Sequence, residues 1–228
     1  MWDRNCLAIL IPTFTFVLII IGLLGFYYKK HPKLDRMMIV KALAVVLCVG
    51  EILKLIICDW QAKNLPFYFS SIVIATITIV AFSKKKSLLF ESAYSISLSI
   101  FTVIFLLILV SPREIFAESV DNIGSSYLMF WRFASHVIDV FIFIWIIFLI
   151  RIKLSTNAIF YGSITTFLVA GFIEIVSWST NVDFDKSLWY KEWWWTIIYM
   201  IGTSIIQFGI GVWYKFLFDH INVKKTID

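Results

Sequence analysis

Arg132, His136 and Asp139 fall at positions i, i+4 and i+7 of one apolar stretch of the sequence. A helix would place these three side chains on one face. Because a histidine changes charge near neutral pH, His136 beside an arginine and an acid is a candidate for proton transfer. The alternative interpretation is that His136 is a packed, hydrogen-bonded histidine with no part in any chemistry.

Charged side chains also interrupt other apolar stretches. Glu51 and Lys54 are i, i+3 neighbours, and Glu174 stands in a later stretch. A charge in hydrocarbon costs at least about 2.5–3.5 kcal/mol, so its presence there needs a reason. Either these residues form part of a binding site, or Glu51 and Lys54 simply neutralise each other.

The stretches that carry these residues have the length and composition of membrane-spanning helices. The chain has 228 residues, of which 61% are hydrophobic and 15% charged, and its mean hydropathy is +0.89. A span needs about 20 apolar residues. The sequence therefore predicts an all-α polytopic membrane bundle, one domain over residues 1–228, with about seven spans near 7–28, 37–58, 64–82, 88–110, 127–150, 158–178 and 193–216.

Basic residues in alternate connections predict the orientation of these spans. More than half of the lysines and arginines lie in residues 29–36, 83–87 and 151–157 and at the C-terminal end. Since basic loops stay in the cytoplasm, we expect the N-terminus outside, the C-terminus inside and a location in the cell membrane. The net charge of +5 resides in these loops, so we expect no nucleic-acid partner.

This topology brings polar side chains from four spans to a similar depth. A helix rises about 1.5 Å per residue, which places the following residues in the outer third of the bilayer: Glu51, Lys54, Tyr68, Ser70, Ser71, Arg132, Ser135, His136, Asp139 and Glu174. We predict one water-accessible cavity that opens outward. The alternative is a set of separate, locally satisfied pairs, in which Ser70 or Ser71 serves only as a small residue between helices.

The sequence excludes several other kinds of site. It contains no P-loop, no GxGxxG and no GxSxG motif. The histidines His31, His136 and His220 lie in an inner loop, a span and the C-terminal tail of the predicted topology, so they do not share a metal ion. We expect neither a metal nor another cofactor.

Two short motifs resemble those of a known family. Residues Leu65–Ser70 open the third span, and the pair Trp131-Arg132 precedes His136 in the fifth. The first is similar to the Leu-Pro-Leu-His-Leu-Cys motif of the YwaF-like bacterial membrane proteins, and the second resembles that family's aromatic–Arg pair followed by His. Two weaker similarities to this family lie after the fourth span, at Ser111-Pro112-Arg113, and after the sixth span, at Asn181.

The resemblance implies a helical bundle of the bacterial cytoplasmic membrane, related to the eukaryotic membrane phospholipid acyltransferases. Carried over by position, the family's cysteine nucleophile falls on Ser70 and its histidine on His136. In this chain Ser70 replaces the cysteine and Tyr68 replaces the motif histidine. A serine depends on a well-placed base far more than a thiol does, so the chain could keep the scaffold without the chemistry.

Three functions remain open on these grounds. The first is an acyltransferase, in which Ser70 attacks an acyl ester of an outer-leaflet lipid while His136, oriented by Asp139, acts as general base. The second is a non-enzymatic ligand-binding or transport subunit that uses the same cavity. The third is a structural partner of another membrane protein. The candidate substrate-binding residues are Glu51, Lys54, Tyr68, Arg132 and Glu174, with Arg132 or Lys54 placed to hold a lipid phosphate.

Overall fold

Helices account for nearly all of the chain that the computed structural model describes, which is residues 4–57, 69–110, 116, 124, 126–180, 182 and 193–224. They are α1 (Arg4–Lys30), α2 (Met37–Ile57), α3 (Phe69–Phe82), α4 (Leu88–Val110), α5 (Tyr127–Trp145), α6 (Thr156–Thr180) and α7 (Trp193–Lys224). A π-helical turn, Ile146–Ile150, continues α5. These described ranges contain no strand, which confirms the all-α prediction.

Within the described ranges, five helices are long and apolar enough to cross a membrane: Leu7–Lys30, Leu88–Val110, Tyr127–Ile150, Thr156–Thr180 and Trp194–His220. Many of their large apolar side chains are exposed. Apolar surface of this extent is expected where lipid tails, and not water, surround a helix. The protein is therefore a helical membrane protein.

The helices α2 and α3 differ from these five for separate reasons. α2 has 21 residues but carries Lys41, Glu51 and Lys54. α3 is described over 14 residues, because the first part of the predicted third span lies outside the described residues. The count of seven spans and their orientation stay predictions.

The described residues form two compact units. Unit 1 contains α1, α2, the part of α4 from Phe101 onward and α5. Unit 2 contains α3, the part of α4 up to Ile100, α6 and α7. The prediction that residues 1–228 make one membrane domain stays a prediction.

In unit 1, α5 packs against both α1 and α2. Trp145 at the end of α5 is completely buried, and the Tyr28 ring of α1 meets it edge-on with 5.5 Å between the ring centroids. Trp145 Nε1 donates to the carbonyl of Arg36 at 3.1 Å, and Arg36 Nη1 donates to the carbonyl of Leu149 at 2.5 Å. The guanidinium of Arg36 thus stabilises the carbonyl end of the π-helical turn, where a cation is favoured.

In unit 2, α6 and α7 pack closely through glycine residues. A Cβ atom on Gly211 of α7 would lie 2.8 Å from Ile159 Cγ2 of α6, and a Cβ on Gly162 would lie 2.8 Å from Gln207 Nε2. Small residues at such positions let two helix backbones approach each other, as is common in membrane bundles.

Candidate functional site

Glu51 and Lys54 form a buried ion pair on α2. Their side chains are 14% and 7% exposed, and Lys54 Nζ donates to Glu51 Oε2 at 2.5 Å. Trp131 Nε1 of α5 donates to the other carboxylate oxygen, Glu51 Oε1, at 2.9 Å. The Glu51 carboxylate is therefore held from two helices, and these contacts offset part of the cost of burying its charge.

Trp131 reaches Glu51 because residue 50 is a glycine. A Cβ atom on Gly50 would lie 2.0 Å from the Trp131 ring, so a side chain at this position would displace the indole. Tyr127, one turn earlier on α5, stacks on the same indole with 6.3 Å between centroids, and its hydroxyl donates to the Gly50 carbonyl at 3.2 Å. The contact between α2 and α5 thus combines close backbone approach with aromatic hydrogen-bond donors.

Further along α5 lie two buried polar groups that differ from Glu51. Asp139 is 4% exposed, and neither of its carboxyl oxygens has a hydrogen-bond partner among the described residues. His136 Nδ1 is likewise buried and without a partner in this part of the chain. A buried carboxyl group is costly unless it is hydrogen-bonded, so one without partners inside a span is a candidate binding site.

The surroundings of His136 are both apolar and charged. The ring of Phe116 meets the imidazole edge-on with 5.8 Å between centroids, and Phe116 itself is buried against Leu10 of α1 and Ile108 of α4. Arg132 precedes His136 by one turn of α5 and brings a positive charge to the same helix face.

Unit 1 brings together more than half of the predicted site residues: Glu51, Lys54, Arg132, His136 and Asp139. Glu51 and Lys54 pair with each other, as one of the two interpretations of the sequence expected. His136 and Asp139 are not hydrogen-bonded to each other, because neither Asp139 oxygen has a partner in the described chain. The same i, i+3 spacing joins Glu51 to Lys54, so the spacing alone does not decide whether two such residues bond.

The other predicted site residues lie elsewhere. Tyr68 lies outside the described residues, and so does the side chain of Ser70. Glu174 belongs to unit 2, where it is buried and accepts a hydrogen bond of 3.4 Å from Thr196 Oγ1. The pairing of Ser70 with His136, and one cavity shared by the second, third and fifth spans, stay predictions.

Unit 2 contains a polar cluster that sequence reasoning missed. Gln207 of α7 is buried, its Nε2 donates to Ser95 Oγ of α4 at 2.7 Å, and its Oε1 accepts from the Ser163 hydroxyl of α6. Ser99 Oγ also donates to the Gln207 carbonyl at 3.3 Å. One amide side chain thus joins three helices. The signal that could have found it is the row Ser92, Ser95 and Ser99, which share one face of α4.

Among the residues that the structure describes, Asp139 and His136 Nδ1 therefore have no hydrogen-bond partner, and the Phe116 ring packs against His136. Such a site can bind a polar or charged solute or exchange a proton. The described residues contain no group of three or more His, Cys, Asp or Glu that could hold a metal ion. No protein-family model, curated protein or solved structure matches this chain.

Proposed function

We propose that the protein is a solute-binding or transport protein of the bacterial cytoplasmic membrane, with its ligand site at Asp139 and His136. The observation that carries the proposal is the Asp139 carboxyl group, which is 4% exposed and has no hydrogen-bond partner in the described ranges. Glu51, in the same unit, has donors on both oxygens. An ionisable group inside a span without such partners is typical of a substrate or ion pathway.

A small solute with a positively charged amine fits this site best. Glu51 and Lys54 already compensate each other, whereas neither Asp139 oxygen has a partner in the part of the chain that the structure describes. An ammonium group would donate to the Asp139 oxygens, and a hydroxyl or N–H of the same solute would donate to His136 Nδ1. Phe116, which is completely buried, packs edge-on against His136, so apolar side chains border the imidazole.

Thermal unfolding of the purified protein with a panel of amines tests this proposal. The probes are methylammonium, ethanolamine, choline and putrescine, with acetate as an anion of similar size. We expect at least one amine to raise the Tm of the wild type, since a ligand at a hundred times its Kd stabilises by about 2.7 kcal/mol. Asp139→Asn should remove this rise.

Asp219→Asn is the matched control, because Asp219 is an exposed acid of α7 that pairs with Lys215 at 3.0 Å. This variant should keep the amine-dependent rise in Tm. A panel in which no amine stabilises the wild type, or an Asp139→Asn variant that keeps the rise, would show that Asp139 does not bind a cationic solute.

A second candidate function is the lipid acyltransferase that the sequence resemblance implies. The observation that favours it is His136 Nδ1, because a general base needs a nitrogen without a competing partner. In this proposal Ser70 Oγ attacks the acyl ester of an outer-leaflet lipid, while His136 takes the hydroxyl proton and returns it to the departing lipid alcohol. An acceptor alcohol then takes the acyl group from Ser70.

Lipid products in reconstituted liposomes distinguish the second candidate from the first. Ser70→Ala and His136→Ala should each abolish acyl transfer, and the double variant should be scarcely worse than either, because residues that act as a unit are not additive. Ser70→Cys should retain transfer, since a thiol needs less activation. Unchanged lipid products in Ser70→Ala would show that Ser70 does not carry acyl transfer.

A further inference from the structure

Unit 2 contains a half-open cavity of about 310 Å³ between α3, α4 and α6. Its floor includes Ser92, Ala93 and Ile96 of α4, which are buried, whereas Ile79 and Leu89 at its rim are exposed. Along α4 the lining runs from Leu89 to Ile100, a length of about 16 Å at 1.5 Å per residue. A cavity of this volume spread over such a length is narrow, so it suits an extended chain better than a compact ring system.

Two hydroxyl groups in this cavity lack hydrogen-bond partners. Ser92 Oγ and Thr166 Oγ1 both line the cavity, and both are buried without a partner among the described residues. The hydroxyls of Thr76 and Ser97 nearby instead donate to carbonyls of their own helices, at 2.9 and 3.0 Å. Back-bonding of this kind is the usual way in which a helix satisfies a serine or threonine. Two residues of the cavity lining thus have hydroxyl donors that no described group uses.

One end of the cavity lies beside a basic connection. The segment 83–87 joins α3 to α4, and Lys84 and Lys86 are exposed within it. Leu89 follows Lys86 by three residues and lines the cavity, and Ser92 lies one turn further in. An acyl chain whose carbonyl lies at Ser92 would therefore carry its anionic group on the side of these lysines, whether that group is the carboxylate itself or a phosphate beyond the ester.

We propose that this cavity holds one long acyl chain of an anionic amphiphile. The chain lies along α4 towards Ile100, and its terminal or ester carbonyl accepts hydrogen bonds from Ser92 and Thr166. The exposed rim at Ile79 and Leu89 lets the chain enter sideways from the bilayer, where no water competes for the two hydroxyls. The site involves no covalent step and lies in unit 2, whereas Asp139 and His136 lie in unit 1.

Binding of palmitate, dipalmitoyl phosphatidylglycerol and hexadecane to the purified protein tests the proposal by native mass spectrometry. Hexadecane has a similar chain but no carbonyl, so it measures the contribution of the hydroxyls. We expect one palmitate or one phosphatidylglycerol per chain, and at least about tenfold weaker binding of hexadecane. Binding of palmitate alone identifies a free fatty acid as the occupant, and binding of the phospholipid identifies a membrane lipid.

The variant Ser92→Ala/Thr166→Val removes both donors while keeping the shape of the cavity. It should bind palmitate at least about tenfold more weakly and leave hexadecane binding unchanged. Thr203→Val is the matched control, because the Thr203 hydroxyl donates to the Tyr199 carbonyl at 2.9 Å and does not line the cavity. Equal affinity for palmitate and hexadecane, or an unchanged affinity of the double variant for palmitate, would overturn the proposal.

The contribution of the basic connection is tested separately. Lys84→Gln/Lys86→Gln should weaken binding of palmitate and phosphatidylglycerol but not that of monopalmitoylglycerol, which has the same carbonyl and chain without a charge. The variants change only exposed side chains, so the Tm should stay near that of the wild type. Equal weakening of the uncharged probe would show that the lysines do not contact an anionic head group.

Discussion

Glu51 and Asp139 are two acids of unit 1 that the structure treats differently. Glu51 accepts from Lys54 Nζ on one oxygen and from Trp131 Nε1 on the other, whereas neither Asp139 oxygen has a partner in the described chain. A buried acid with such partners stabilises the contact between its helices, and one without them is left to bind a ligand or a proton. The difference favours a structural role for Glu51 and a binding role for Asp139, and both roles stay predictions.

At the scale of single residues, we expect Glu51→Gln to destabilise the protein more than Glu51→Gln/Lys54→Met does. The single change leaves Lys54 charged, buried and without its ion-pair partner, which costs about 3–5 kcal/mol for a buried pair. The double change removes both charges and should cost less. Denaturant unfolding in detergent measures both free energies.

The exposed pair Lys215–Asp219 on α7 provides the control for that comparison. Lys215→Met should change the free energy of unfolding little, because solvent-accessible ion pairs contribute about 0–1 kcal/mol. If the double variant Glu51→Gln/Lys54→Met is no more stable than Glu51→Gln, the buried charge of Lys54 does not destabilise the protein when its ion-pair partner is removed.

At the scale of elements, the contacts of α6 and α7 depend on where the small residues lie around each helix. Gly211 of α7 faces Ile159 of α6, whereas Gly209, two residues earlier, has nothing within 4 Å of the position that a Cβ would take. Between these helices and α4, Gln207 donates to Ser95 and accepts from Ser163. Close approach and one shared amide thus hold the helices of unit 2 together.

These two glycines form a matched pair for mutation. Gly211→Ala should lower the free energy of unfolding by about 1–3 kcal/mol, because the added methyl group overpacks the contact with Ile159. Gly209→Ala should be neutral or stabilise by about 0.5–1 kcal/mol, since alanine is the better helix former. Thermal or denaturant unfolding in detergent measures the difference, and equal effects would mean that α6 and α7 adjust to the extra methyl group.

At the scale of the whole molecule, the helices agree closely with the predicted spans. α2 and α4 match residues 37–58 and 88–110 to within a residue, and α5 with its π-helical turn covers 127–150. α7 continues eight residues beyond the predicted end at 216. Its last turns carry the pair Lys215–Asp219, an i, i+4 ion pair of the kind that supports a helix.

Labelling of introduced cysteines tests the predicted orientation. In a background without Cys6, Cys48 and Cys58, a membrane-impermeant maleimide added to intact cells should label Glu118→Cys and leave Lys85→Cys unlabelled until the cells are lysed. The reason is that the lysine-rich connection 83–87 should stay in the cytoplasm. Labelling of Lys85→Cys from outside would reverse the predicted direction of α3 and α4, and with it the depth assigned to their polar residues.

The sequence alone determined which segments of this protein are helices. A segment in lipid must satisfy every backbone hydrogen bond internally, so an apolar run of sufficient length has few alternatives to a helix. It also determined that Glu51 and Lys54 share a face of α2, because i, i+3 spacing fixes that geometry within one helix. The ion pair seen in the structure follows from this local rule.

Only the tertiary structure decided which helices meet, and through which side chains. Trp131 reaches Glu51 because Gly50 leaves room for the indole, and Gln207 joins Ser95 to Ser163 because α4, α6 and α7 approach closely there. Asp139 has no hydrogen-bond partner in the described chain because no helix brings a polar group into hydrogen-bonding position there. Partners between helices depend on how far each helix is rotated about its axis and how closely the backbones approach, and spacing along one chain segment encodes neither.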